Sequence, residues 1–208
     1  MTICPADQPL GMTWDSSGIV FGQGIKGILR CSPNGGMPEQ LATVKANEFA
    51  HGPQMLPGGK TLLFSIANVA DGDARWDKSQ VVVQDLMSGA RKTLFTGGSD
   101  ARYLRTGHLL YALGGIVFAV PFDPARQTVV GGVVSVVEGV RLAAPSAGGS
   151  ARGAAQFDTS GTGTLLFMPG PIGTTAAERA VAMADRAGAL TRNSARLRSN
   201  AGPSFHVR

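Results

Sequence analysis

The glycines of Gly22-Gln23-Gly24-Ile25-Lys26-Gly27 are spaced like those of a phosphate-cradling loop, and they follow the apolar run Ile19-Val20-Phe21. Such a loop holds phosphate when a helix follows and turns its N-terminal N–H groups on the anion. Here Ile28-Leu29-Arg30-Cys31 and then Pro33 follow. That is a strand and a turn, so the glycines read as a hairpin connection. Asp71, Asp73 and Asp77 hint at a calcium loop, but Ala74-Arg75-Trp76 intervenes and no closing Glu follows, so this stretch reads as a solvated loop between strands. The three histidines, His51, His108 and His206, fall in separate parts of the chain; His108 follows Gly107 and is placed to bond a backbone group. No GxSxG, HRD or DFG occurs, so neither a nucleophile elbow nor a kinase catalytic loop is legible. Cys4 and Cys31 are the only cysteines and form no CxxC, which fits no metal site. Cys31 alternates with Leu29 and reads as a buried free thiol; a Cys4–Cys31 disulfide is open only to an extracytoplasmic domain. No cofactor is implied, and the expectation is a chain without catalytic activity.

The elements that position these residues come from a repeat. Trp14-Asp15-Ser16-Ser17-Gly18-Ile19-Val20-Phe21 returns as Met55-Leu56-Pro57-Gly58-Gly59-Lys60-Thr61-Leu62-Leu63-Phe64. It returns again as Tyr103-Leu104-Arg105-Thr106-Gly107-His108-Leu109-Leu110-Tyr111, and as Phe157-Asp158-Thr159-Ser160-Gly161-Thr162-Gly163-Thr164-Leu165-Leu166-Phe167. Each copy is an apolar anchor, a polar turn and a strand closing on an aromatic. Gly18, Gly59, Gly107 and Gly163 lie roughly 40 to 55 residues apart, the period of propeller blades. A second hairpin follows each copy: Ile28–Cys31 with Glu39–Leu41, Val81–Leu86 with Lys92–Leu94, Ile116–Val120 with Thr128–Val130, and Ala180–Met183 with Leu190. Two hairpins per repeat make a four-stranded blade. The predicted fold is an all-β propeller of about four antiparallel blades in an open ring, over 11–48, 49–98, 99–142 and 150–192. Residues 193–208 then open a further blade or form a tail. The segment 176–190 favours helix by propensity, but its place in the repeat predicts strand, turn, strand.

Composition agrees. Of 208 residues 29 are Gly and 12 Pro, and the net charge is +5. The basic residues are spread over turns without aromatic interleaving, which argues against nucleic acid. The exception is the end, where Arg179, Arg186, Arg192, Arg196, Arg198 and Arg208 gather and no acid follows Asp185; it reads as an exposed terminus, with an anionic partner as the alternative. No signal peptide and no membrane-length apolar run is visible, so no direct membrane contact is expected of these residues. Gly202-Pro203-Ser204-Phe205 resembles the start of another repeat, and the chain is expected to be a piece of a longer protein with bare terminal blade faces.

With the repeats laid out, the chain resembles TolB-like, WD-repeat-like propellers. More closely, it resembles the C-terminal propeller of bacterial membrane-anchored serine/threonine kinases common in acidobacterial genomes. The residues that carry this are Gly35-Gly36-Met37-Pro38-Glu39-Gln40-Leu41, His51-Gly52-Pro53-Gln54-Met55-Leu56-Pro57-Gly58-Gly59-Lys60, Ala101–Tyr111, Gly115–Asp123 and Asp185-Arg186-Ala187-Gly188. Departures are Gly58, where the pattern has Asp, and Met183-Ala184 in place of Trp-Val before Asp185. The resemblance implies a sensor or scaffold module, periplasmic, that binds a protein, peptide or small ligand and is joined to a kinase domain. A gating propeller of a prolyl oligopeptidase-type peptidase and a TolB-like periplasmic scaffold are the alternatives. The residues expected at a ligand face are Trp14, His51, Trp76, Arg102 and Tyr103, which would equally suit packing between blades.

Overall fold

A computed structural model describes residues 3–7, 9–143, 155–160, 163–170, 181–184 and 190–193. Four antiparallel sheets follow one another along the chain, and none closes on itself. The first contains β1 (Met12–Asp15), β2 (Gly18–Gly22), β3 (Ile28–Cys31) and β4 (Glu39–Ala42). The second contains β5 (Glu48–Met55), β6 (Thr61–Asn68), β7 (Gln80–Asp85) and β8 (Arg91–Thr96). The third contains β9 (Ser99–Leu104), β10 (His108–Leu113), β11 (Ile116–Asp123), β12 (Thr128–Val129) and β13 (Val134–Val137). The fourth contains β14 (Phe157–Thr159), β15 (Leu165–Phe167), β16 (Val181–Ala184) and β17 (Leu190–Asn193). This is an incomplete β-propeller with consecutive strands as neighbours, apart from β13, which also pairs with β11. The third sheet therefore has five strands rather than the expected four.

The second strand of each blade shows why the sheets stack. Thr61-Leu62-Leu63-Phe64-Ser65-Ile66-Ala67 is buried at every position. A strand presents alternate side chains to opposite faces, so burial at every position of this largely apolar run means that both faces are covered. Leu62 and Phe64 pack with Val20, Ile28 and Ala50 between the first two sheets. Leu63 turns the other way, to Leu109, Tyr111 and Val120 of the third sheet. Leu110 and Ala112 repeat the pattern one blade on, meeting Phe157, Leu165 and Phe167. Phe64, Tyr111 and Phe167 thus each face the preceding sheet, as the repeat register requires. Full burial of one such side chain stabilises by roughly 1.5–3 kcal/mol.

The turn glycines Gly18, Gly59, Gly107 and Gly163 all have positive φ, at 125°, 67°, 81° and 89°. L-residues with a Cβ pay a steric cost there, which is why glycine recurs. Asp15, Asp85 and Asp123 brace hairpin turns by accepting from the N–H groups of Ser17, Ser88 and Ala125 at 2.7, 2.7 and 2.9 Å.

The free face of the first blade corrects two expectations. Ile19 and Phe21 lie opposite Cys31 and Leu29 and share their outward face. Cys4 is disulfide-bonded to Cys31, with Cα atoms 6.4 Å apart, so neither is a free thiol. The segment leading from Cys4 is also pinned by Gln23 Nε2 donating to the Asp7 carbonyl at 3.0 Å and Leu10 N–H donating to the Gly22 carbonyl at 2.7 Å. That strap leaves Phe21 2% and Cys31 0% exposed, while Met12 and Trp14 stay open at 57% and 68%. The face is partly covered rather than bare. Among the described residues no helix is long and apolar enough to cross a membrane. The loop with Asp71 and Asp77 contains a 3₁₀ segment, Val69–Arg75. Within 176–190 the described residues 181–184 and 190 are strand, in β16 and β17, rather than helix; 176–180, the expected turn at 185–189 and 194–208 lie outside the described residues.

Candidate functional site

The first strands of successive blades are held side by side by their own side chains. Thr13 of β1 donates through Oγ1 to the Pro53 carbonyl of β5 at 3.1 Å. Gln54, at the equivalent register position of β5, spans to β9: its Oε1 accepts from Tyr103 N–H at 2.6 Å and its Nε2 donates to the Tyr103 carbonyl at 3.3 Å. A single carboxamide thereby satisfies both backbone groups of a strand-edge residue, which would otherwise need water or a further strand. The first turns of all four blades consequently converge on one cavity of about 730 Å³. The first blade supplies Asp15, Ser16 and Ser17, the second Gln54–Pro57 and Gly59, the third Tyr103–Arg105 and the fourth Thr159 and Ser160. The volume lies within the roughly 300–1,000 Å³ typical of small-ligand sites.

Much of the polar lining is already engaged in holding the turns. Asp15 Oδ1 accepts from Ser17 N–H and Ser17 Oγ at 2.7 and 2.6 Å. Ser160 Oγ accepts from Thr164 N–H at 3.0 Å. The Tyr103 ring is set edge-on to Phe122 with centroids 6.0 Å apart. Arg105 differs: it is exposed and makes no ion pair among the described residues.

Deeper along the same strands lies a buried polar cluster. Arg102 Nη2 stands 2.7 Å from Asp100 Oδ1, an ion pair by distance rather than an aligned hydrogen bond. Asp100 Oδ2 accepts from Ala155 N–H of the fourth blade at 3.1 Å. Asp100 has φ 58°, a left-handed conformation that Asp tolerates better than most L-residues. His51 Nδ1 lies 4.0 Å from Asp100 Oδ1, and its ring meets Trp76 edge-on with centroids 5.0 Å apart. Burial holds the His51 pKa below its ordinary value; the Asp100 charge opposes that shift and Arg102 reinforces it. Ser65 lies opposite His51 across β5 and β6. Ser, His and Asp thus meet, but the Ser65 hydroxyl and both His51 ring nitrogens make no hydrogen bond and are shielded from solvent. The trio presents no nucleophile to a substrate.

Of the five residues expected at a ligand face, the structure brings Tyr103 alone into the cavity wall. Trp14 is exposed on the outward side of the first blade, one residue before the cavity-lining Asp15. Arg102 is half-buried, turned to Asp100. His51 and Trp76 are interior residues, 1% and 7% exposed: β5, which carries His51, lies against both neighbouring blades, and the Trp76 ring packs on His51. Gln54, Arg105 and the Asp15–Ser17 turn were not singled out from the sequence, although each sits in or beside the repeated turn phrase. His108 Nδ1 contacts the Thr106 carbonyl at 3.1 Å, as its sequence position implied. No three His, Cys, Asp or Glu side chains converge on a metal-sized site among the described residues.

No protein-family model matches the chain. No curated protein matches it. Solved structures do. An oligogalacturonate lyase in complex with manganese superposes with TM-score 0.54 at 9% identity, covering 90% of this chain and 53% of that one. A Trichoderma reesei carbohydrate-active enzyme of family AA12, in an iodide structure, gives TM-score 0.52 at 13% identity, covering 88% and 53%. The chain spans about half the length of these structures. The likeness bears on the fold. It also corrects the expectation of a chain without catalytic activity: both neighbours are enzymes, so a fold of this kind gives no ground for excluding one. The physical reason is that a propeller gathers site residues from separate blades, so no contiguous motif need announce them.

Proposed function

We propose that this chain is a ligand-binding propeller whose site is the cavity at the converging first turns, and that it serves as the sensor or scaffold part of a receptor-like serine/threonine kinase. The observation that carries the site is the convergence itself: one repeated turn from each of four blades lines a single cavity of about 730 Å³. Loops held by a rigid scaffold are where binding residues concentrate. The kinase context rests on the sequence resemblance. The Cys4–Cys31 disulfide supports a place outside the cytoplasm, where such bonds persist.

The site is tested by calorimetric screening of small polar molecules, sugars and short peptides against the wild-type chain and the Tyr103→Ala variant. Binding that weakens at least about tenfold in the variant, or roughly 1.4 kcal/mol, supports the cavity. A ligand that binds both proteins equally places recognition elsewhere. The context is tested on the genomic reading frame: an upstream kinase catalytic loop and membrane span support it, whereas a downstream α/β-hydrolase domain replaces it with a peptidase propeller.

A further inference from the structure

Among the described residues that line the cavity, Asp15 is the one acid and Arg105 the one base. They stand in the first and third blades, with the second blade's turn between them, and they form no ion pair with each other. Arg105 is exposed and has no carboxylate partner among the described residues. Asp15 spends Oδ1 on the Ser17 turn, which leaves its charge and second oxygen for another group. The wall between them carries Met55 and Pro57 from the second blade and Tyr103 and Leu104 from the third. The cavity therefore presents a negative end, an apolar middle and a positive end.

We propose that the cavity binds a short zwitterionic peptide, its free amino group at Asp15 and its free carboxylate at Arg105, with an apolar side chain against Met55, Tyr103 and Leu104. The proposal rests on the cavity being the binding site and names what it takes. A neutral sugar leaves both charges unanswered, and a dicarboxylate answers Arg105 while meeting like charge at Asp15. A zwitterion of peptide length answers both. The guanidinium forms paired hydrogen bonds with a carboxylate, and specificity arises because ligands lacking either end leave one charge unmatched.

The probe is the tripeptide Ala-Leu-Ala, measured by isothermal titration calorimetry beside its N-acetyl form, its C-terminal amide, maltose and succinate. The free peptide is expected to bind at least about tenfold tighter than either blocked form. Arg105→Gln should weaken the free and acetylated peptides and leave the amide unchanged. Asp15→Asn, which keeps the turn acceptor, should weaken the free peptide and the amide and leave the acetylated form unchanged. Both variants should melt as wild type does. Peptide binding that ignores end-blocking or either substitution overturns the zwitterion assignment, and Tyr103→Ala then decides whether the peptide lies in the cavity. Maltose or succinate binding in preference to the peptide, with loss on Tyr103→Ala, overturns the assignment and leaves the cavity reading intact. Failure of all the peptides overturns the assignment outright, and the wider screen on Tyr103→Ala then decides the cavity separately.

Discussion

Removing the Cys4–Cys31 disulfide should cost this domain a measurable share of its stability. The bond closes a loop across a sequence separation of 27 residues. In the chain-entropy account, a loop of that size removes about 12 cal/mol/K from the unfolded chain, or about 3.5 kcal/mol at 25 °C. Domains of this kind are stable by only about 5–15 kcal/mol, so the change is large. The cleaner variant is Cys4→Ser, because Cys4 is partly exposed whereas Cys31 is 0% exposed and a serine there would bury a hydroxyl. Urea unfolding of Cys4→Ser, of the oxidised wild type and of the wild type in reductant should place the first and last together. Both should lie up to about 3.5 kcal/mol below the oxidised protein, a fall of roughly 7–14 °C in Tm for a chain of this size. The strap should also become cleavable by protease between Cys4 and Leu10. If Cys4→Ser unfolds within about 0.5 kcal/mol of wild type, the strap contributes nothing and the covered face of Phe21 needs another explanation.

Two further outcomes follow from the interior. His51 is held neutral by burial with its pKa below the ordinary 6.5, facing Asp100 and Arg102; the unfolded chain therefore takes up a proton that the folded chain refuses. Its contribution to stability is complete above about pH 6.5 and is lost as pH falls from there toward the lowered folded value. The urea midpoint should drop between about pH 7.5 and 5.5, and His51→Gln should remove much of that slope; an unchanged slope in the variant assigns it to other groups. Phe64, 0% exposed between the first two blades, should cost about 3–5 kcal/mol when replaced by Ala. A loss under about 1 kcal/mol, read from the same unfolding curves, would show that the first two sheets do not pack through it.

The strands were legible where both faces are buried. Leu62–Phe64 and Leu109–Leu113 announce themselves as unbroken apolar runs because each alternate residue meets a different blade. The turns were legible because the left-handed conformation at Gly18, Gly59, Gly107 and Gly163 selects glycine. Less visible was β13. Val134 and Val136 are 60% and 47% exposed on an edge strand, so hydrophobicity alone could not set its pairing. The disulfide was obscured because Cys4 precedes the first repeat, and only the register that turns Cys31 outward brings the two together. His51 takes the packing alternative for a related reason. A bulge between His51 and Gln54 resets the alternation of β5; His51 is buried, while Gln54 reaches the cavity. Pairing of β16 with β15, and of β17 with β16, overrides the helical propensity of the sequence.

The central claim is that four first turns, far apart in sequence, form one binding cavity. It is tested most directly by a crystal structure of the chain grown with Ala-Leu-Ala. The account predicts peptide density enclosed by the Asp15–Ser17, Gln54–Pro57 and Tyr103–Arg105 turns, with the carboxylate on the Arg105 guanidinium. Density on another surface, or first turns that do not converge on a common cavity, would contradict it.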